Sequence, residues 1–157
     1  MFQLDKVDVE ILAHLQEDGR KSFTDIAEEM NTSVGTIRNR YTKLVKENIL
    51  HIIGWTDPVR AGYNAYARVM IDVKPVAKVN QVTEELLKIN EVVFLAHTSG
   101  EYNLEINLQC KDNNELISLM HESIMSIDGV YDTQTTMYFK VLKWASHDVS
   151  KANVSDK

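Results

Sequence analysis

Two rhythms of hydrophobic positions divide the chain. From Leu4 to Ile49 apolar residues recur at helical spacing; beyond Tyr63 strand-like alternation dominates, interrupted by two further helical stretches. Leu4, Val7, Ile11, Leu12 and Leu15 predict a first amphipathic helix, with Gly19 as its expected stop. Phe23, Ile26, Ala27 and Met30 predict a second, N-capped by Ser22 with Asp25 in its first turn. In the turn Asn31-Thr32-Ser33, Asn31 can take the left-handed backbone conformation and Ser33 can cap a third helix. That helix is expected to bury Val34, Ile37, Tyr41, Leu44 and Val45, and to end near Asn48 in a position where glycine would be easier. Small Ala27 allows close approach of the second and third helices, the requirement of a helix-turn-helix pair.

Ile49 to Trp55 reads as a strand, and Thr56-Asp57-Pro58 with Gly62 marks a turn and a domain boundary. Ala65, Ala67, Val69, Ile71 and Val73 then form one side of a strand ended by Pro75. A helix follows on Val79, Val82, Leu86 and Ile89, then strands at Val92 to Thr98 and Tyr102 to Cys110, separated by Ser99-Gly100-Glu101. Leu116, Met120, Ile124 and Ile127 predict another helix stopped by Gly129, and Val130 to Trp144 a long last strand. The order strand, helix, strand, strand, helix, strand is the ferredoxin-like βαββαβ unit, an open sheet with both helices on one face. Its last strand has apolar residues on both sides, so the uncovered face is expected to meet a second copy of the sheet in a homo-oligomer. The expected division is residues 1–48, a helix-turn-helix domain; 49–62, a linker strand and turn; 63–144, the α+β unit; and 145–157, a polar, flexible tail.

Charge sharpens this picture. The formal net charge of the 157 residues is −6, yet Ser33 through Lys46 holds four basic residues and no acid. Such a local inversion of sign is the footprint of a phosphate-facing helix, and it argues for a focused patch rather than bulk coating of double-stranded DNA. Thr36, Arg38, Asn39, Thr42, Lys43 and Lys46 face outward. Arg38 and Asn39, with Thr36, suit base edges, because arginine matches guanine and asparagine matches adenine. Arg40, Lys43 and Lys46 suit phosphates, although Arg40 could equally pair with an acid inside the helical core. Ser33 and Thr42 complete the expected DNA-binding surface.

Other chemistry finds little support. No apolar run approaches a membrane span and the N-terminus lacks a signal-peptide layout, so a cytoplasmic protein without membrane contact is expected. Cys110 is the only cysteine, which rules out an intrachain disulfide, and the five histidines are scattered away from metal-ligand spacing. No nucleophile elbow, phosphate loop or paired-carboxylate motif appears; no cofactor and no enzymatic activity are expected.

The segments LDKVDVEILAHLQEDGRKSFTDIAEEMNTSVGTIRNRYTKLVKENIL, DPVRAG, TSGEYNLEI and DGVYDTQT together make residues Leu4 to Trp144 resemble the Lrp/AsnC, or feast-famine, transcription regulators. The resemblance implies a winged-type helix-turn-helix head, a linker strand, and a ferredoxin-like domain that senses a small-molecule effector, often an amino acid, and dimerises through its sheet. It also implies further assembly, commonly to octamers. By that resemblance Gly100 shapes the effector pocket; Thr98 and Asn103 complete it, with Thr136 as a weaker candidate. Asn103 stands where the family often has an acid, so the charge usually offered to an amino group is missing. Two other readings stay open: a ligand-independent architectural DNA-binding oligomer, and an enzyme resembling the siroheme decarboxylases that share this architecture.

Overall fold

The computed structural model describes residues 3–144 and Val149. They form two units, one of residues 3–55 with Trp144 and Val149, the other of residues 56–143.

The first unit is built from α1 (Lys6–Glu17), α2 (Phe23–Glu29) and α3 (Val34–Lys46). Each helix begins on a side-chain cap. Asp5 accepts from the Asp8 backbone N–H at 2.9 Å while the Asp8 carboxylate accepts from the Asp5 N–H at 3.2 Å, a reciprocal box that satisfies two N-terminal donors at once. Ser22 and Ser33 accept from the N–H groups of Asp25 and Thr36, as their positions in the sequence suggested. Asn31 (φ 48°) and Asn48 (φ 55°) occupy the left-handed region expected of them. Gly19 does not: α1 stops because Asp18 takes an extended conformation, with its N–H on the His14 carbonyl and its carboxylate on the Arg20 N–H.

Ile11, Leu12, Leu15, Ile26, Ala27, Ile37, Leu44 and Leu50 form the core of this unit. Val45, expected inside, is 40% exposed. It lies about 100° around the helix from Leu44, outside the stripe that Ile37 and Leu44 drive into the core. Residues 51–57 carry no regular structure, against the expected linker strand, and no wing strand forms in the unit among the described residues. A strand needs a hydrogen-bonded neighbour, and the described residues provide none here: Ile53 and Trp55 stand 78% and 61% exposed. Of the expected flexible tail, all but Val149 lies outside the described residues. Val149 itself is buried in this unit's core, its backbone N–H donating to Gln16 Oε1 at 3.3 Å.

The second unit is an antiparallel four-stranded sheet in the order β2-β3-β1-β4, packed on two helices. Its elements are β1 (Ala65–Val73), α4 (Val79–Leu86), β2 (Val92–His97), β3 (Leu104–Cys110), α5 (Asn113–Leu119) and β4 (Val130–Met137). A wider turn over Met120–Ile124 extends α5. Along β1 and β3 every second residue is buried, and these residues meet Val82, Leu86, Leu116 and Ile124 of the helical layer. Gly129 (φ 111°) enters β4 so close to α4 that a Cβ would sit 3.0 Å from Lys78 and 3.2 Å from Val82. The last strand is shorter than its apolar pattern suggested. Pairing of β4 with β1 ends at Ala67↔Met137, and the Tyr138 N–H makes one more bond, to the Tyr66 carbonyl, beyond it.

Candidate nucleic-acid interface and effector loop

Helical spacing aligns Thr36, Asn39, Lys43 and Lys46 along the solvent side of α3, with Arg38 and Thr42 on its flank. Arg38, Asn39, Thr42, Lys43 and Lys46 are exposed and Thr36 is half-buried. The side chains of Arg38, Asn39 and Lys46 make no hydrogen bond or ion pair among the described residues, so their donors are free for a ligand. Three hydroxyls on this side are used locally. Ser33 Oγ accepts from the Thr36 N–H and shares a 2.8 Å hydrogen bond with Thr36 Oγ1, while Thr42 Oγ1 donates to the Arg38 carbonyl. Ser33 and Thr36 thus fix the start of α3.

Arg40 takes the second of its two open roles. Its guanidinium turns back onto α1 and donates to Asp5 and to Asp8, the latter at 3.1 Å. Asp8 is 1% exposed and is the buried charge that this arginine neutralises. The hydrogen bond from Arg40 to Asp5 raises the guanidinium pKa further. Burial alone would raise Asp5, but the Asp8 N–H and Arg40 outweigh it and hold that carboxyl below its ordinary value. Asp5 and Asp8 lie more than thirty positions from Arg40. No local pattern marks such partners; the acids of the first helix were the only available signal.

In the second unit the loop between β2 and β3 is closed on itself. The Thr98 hydroxyl donates to the Tyr102 carbonyl at 2.8 Å, and the Thr98 N–H donates to the Asn103 carbonyl. Gly100 (φ 114°) lies at the exposed tip, where a Cβ would touch nothing within 4 Å. Asn103 ties the loop to β1: its N–H donates to the Ile71 carbonyl, and its Oδ1 accepts from the Val73 N–H at 2.6 Å. That second bond falls where pairing between β1 and β4 shifts register, at Asp72/Val73, and so satisfies a donor that the irregularity frees. The side-chain oxygen of Asn103 is therefore committed to the fold. Thr136 is not brought to this loop; it pairs with Arg68, further along the sheet.

The end of the sheet beside the loop is acidic. Asp72 and Asp132 pair directly across β1 and β4, and Lys74 bonds Asp72 at 2.8 Å while lying 3.8 Å over the Tyr131 ring. Burial, followed by Asp132, Glu101 and Asp72, pushes the Tyr102 phenol up. These acids were not singled out in the sequence, because only strand register sets them side by side. Cys110 is fully buried, and burial first of all pushes its thiol up to about 11, which leaves it an unreactive core residue.

A three-helix head with a polar, cation-bearing third helix, joined in one chain to a ferredoxin-like unit with a built loop at its sheet end, defines a DNA-binding regulator with a ligand-binding module. Family models agree in both parts: residues 4–45 match the AsnC-type helix-turn-helix domain and residues 65–146 the Lrp/AsnC ligand binding domain. The chain belongs to the Lrp/AsnC family of transcriptional regulators. An uncharacterized HTH-type transcriptional regulator of Pyrococcus horikoshii is 38% identical over 143 residues, 90% of each chain. Ptr1, an HTH-type transcriptional regulator of Methanocaldococcus jannaschii, is 32% identical over 89% of this chain and 95% of its own. Escherichia coli AsnC has the same fold, with a TM-score of 0.89 at 22% identity over 94% of this chain and 99% of that one. A transcriptional regulator from Neisseria meningitidis in complex with L-Met superposes with a TM-score of 0.84 at 22% identity, covering 92% and 95% of the two chains.

Proposed function

We propose that this protein reads a DNA sequence through α3, acts as a homo-oligomer, and is regulated by an amino acid or a related metabolite bound at the β2–β3 loop. The observation that carries the first part is the outward row of α3, where Arg38 and Asn39 keep their donors uncommitted while Arg40 is drawn into the core. Two heads in a dimer would enter successive major grooves about 34 to 36 Å apart. Arg38 and Asn39 contact base edges, and Lys43 and Lys46 hold phosphates. Thr36 and Ser33 act by fixing the start of the helix, with Thr42 on its flank.

The effector assignment is supported by the L-Met complex of the Neisseria meningitidis neighbour and by the acids Asp72, Asp132 and Glu101 around the loop. They provide a negative field for an ammonium group although Asn103 carries no charge. The relatives named as transcriptional regulators favour a non-enzymatic, cytoplasmic role on DNA over the siroheme-decarboxylase reading. No helix among the described residues is long and apolar enough to cross a membrane.

The test is a DNA selection followed by affinity measurements on chosen and scrambled duplexes. Arg38→Ala is expected to relax sequence preference by about 1–3 kcal/mol at one position, whereas Lys43→Ala weakens all duplexes alike and reduces the salt slope by about 1. Unchanged preference with Arg38→Ala would contradict the assignment.

A further inference from the structure

The carboxamide of Asn103 is engaged at one end only. Its Oδ1 accepts from the Val73 N–H at 2.6 Å, and because only the amide oxygen can accept, that bond settles which way round the group sits. Its Nδ2 has no partner among the described residues and is not shut off from solvent, so two N–H donors stand open beside the β2–β3 loop. The adjoining backbone has the same bias. The Tyr102 carbonyl already takes the Thr98 hydroxyl and the Asn103 carbonyl the Thr98 N–H, whereas the N–H groups of Glu101 and Tyr102 make no hydrogen bond among the described residues. Acceptors for a cation lie on other side chains. Asp72 is bonded to Lys74 at 2.8 Å, while Asp132 and Glu101 make no ion pair among the described residues.

We propose that Asn103 sets the polarity of the effector site: its Nδ2 donates to a carboxylate or carbonyl oxygen of the effector, whose ammonium group is directed away from residue 103, to Asp132 and Glu101. The proposal rests on the effector reading given above and specifies which end of the molecule meets this residue. A carboxylate at position 103 could receive an ammonium. A carboxamide whose oxygen is already bonded offers donors alone, so an ammonium placed there sets donor against donor and leaves both without an acceptor as water is excluded. An oxygen of a carboxylate, in contrast, gains a charge-assisted hydrogen bond at the same point. Asn103→Asp inverts this preference with little change of shape. One carboxylate oxygen still accepts from the Val73 N–H, and the other turns the open donor into an acceptor, so the variant separates selection of the effector from folding of the loop.

The experiment compares matched probes on the full native chain by thermal unfolding and calorimetric titration. A panel of L-amino acids, L-methionine included, is run beside the 2-oxo acid and the decarboxylated amine of each. The 2-oxo acid keeps the oxygens and lacks the ammonium; the amine does the reverse. The native chain is expected to bind the 2-oxo acid about tenfold or more tightly than the amine of the same side chain, with a correspondingly larger rise in unfolding temperature. Asn103→Asp, its fold checked by circular dichroism, is expected to reverse that order. A native chain that prefers the amine, or an Asn103→Asp chain that keeps the native order, would overturn the proposal while a response to the amino acid itself leaves the effector reading standing. Should the variant unfold, the native ratio decides alone. If no compound of the panel raises the unfolding temperature of either chain, the effector reading falls and the polarity assignment with it.

Discussion

Arg40 separates two roles that a basic residue on a recognition helix can play. Its guanidinium is the ion-pair partner of the buried Asp8 carboxylate inside the head, so its loss exposes the fold before it exposes the DNA contact. Arg40→Ala is expected to destabilise the head by about 2–3 kcal/mol, the upper range for a broken buried pair being tempered by the arginine's partial exposure. Denaturant titration measures that loss, and the salt slope of DNA binding in the still-folded fraction is expected to stay unchanged. Acid probes the same cluster. Asp5 has a lowered folded pKa, so the stability it contributes is present above its ordinary value of 3.8 and is lost as pH falls through the lower folded value. The thermal stability of the native protein is thus expected to fall as pH drops from about 5 to about 2, and Asp5→Asn to remove part of that dependence. The caps at Ser22 and Ser33 and the left-handed Asn31 and Asn48 were legible from sequence, because each is decided by a few neighbouring residues. Asp5, Asp8 and Arg40 were not, because they meet only when α1 and α3 cross.

At the scale of elements, periodicity located the α-helices and the strands of the sheet, but it overreached where a strand lacked a neighbour. Residues 51–55 and residues 139–143 have the apolar pattern of strands, yet neither run joins a ladder among the described residues, and Ile53, Trp55, Phe139 and Leu142 are exposed. Alternation reports that a surface seeks burial, whereas a ladder also requires a partner with free backbone groups. The open sheet face raises the same demand for burial, which homo-oligomer formation would meet. Val149 shows the converse case: one apolar residue in a polar stretch gives no periodic signal, yet it enters the core of the head. Val149→Ala is expected to cost about 1–2 kcal/mol and Val149→Asp more, by chemical denaturation of the full chain. Indifference to both would show that the residue lies outside the core. The Asn103 loop followed the glycine turn as expected, but its hydrogen bond to Val73 arises from a register shift that no sequence pattern announces.

For the whole molecule, a net charge of −6 leaves little non-specific attraction to DNA. With Arg38 on base edges and Arg40 withdrawn, each head offers Lys43 and Lys46 to phosphates, and two heads together are expected to give a log-log salt dependence of about −4. Regulation would tie this binding to events in the second unit, and equilibrium linkage makes that tie measurable: an effector that changes affinity for DNA must itself bind with an affinity changed by the same factor. The decisive measurement is the dissociation constant of the native protein for its selected duplex across a panel of amino acids and related metabolites, alongside thermal unfolding in the same solutions. One compound is expected to raise the unfolding temperature and to shift the dissociation constant by about 5-fold or more, with Asn103→Asp altering the response. Affinity and unfolding temperature unchanged across the panel, for the native protein and for Asn103→Asp alike, would contradict the account and leave a DNA-binding oligomer without an amino-acid effector.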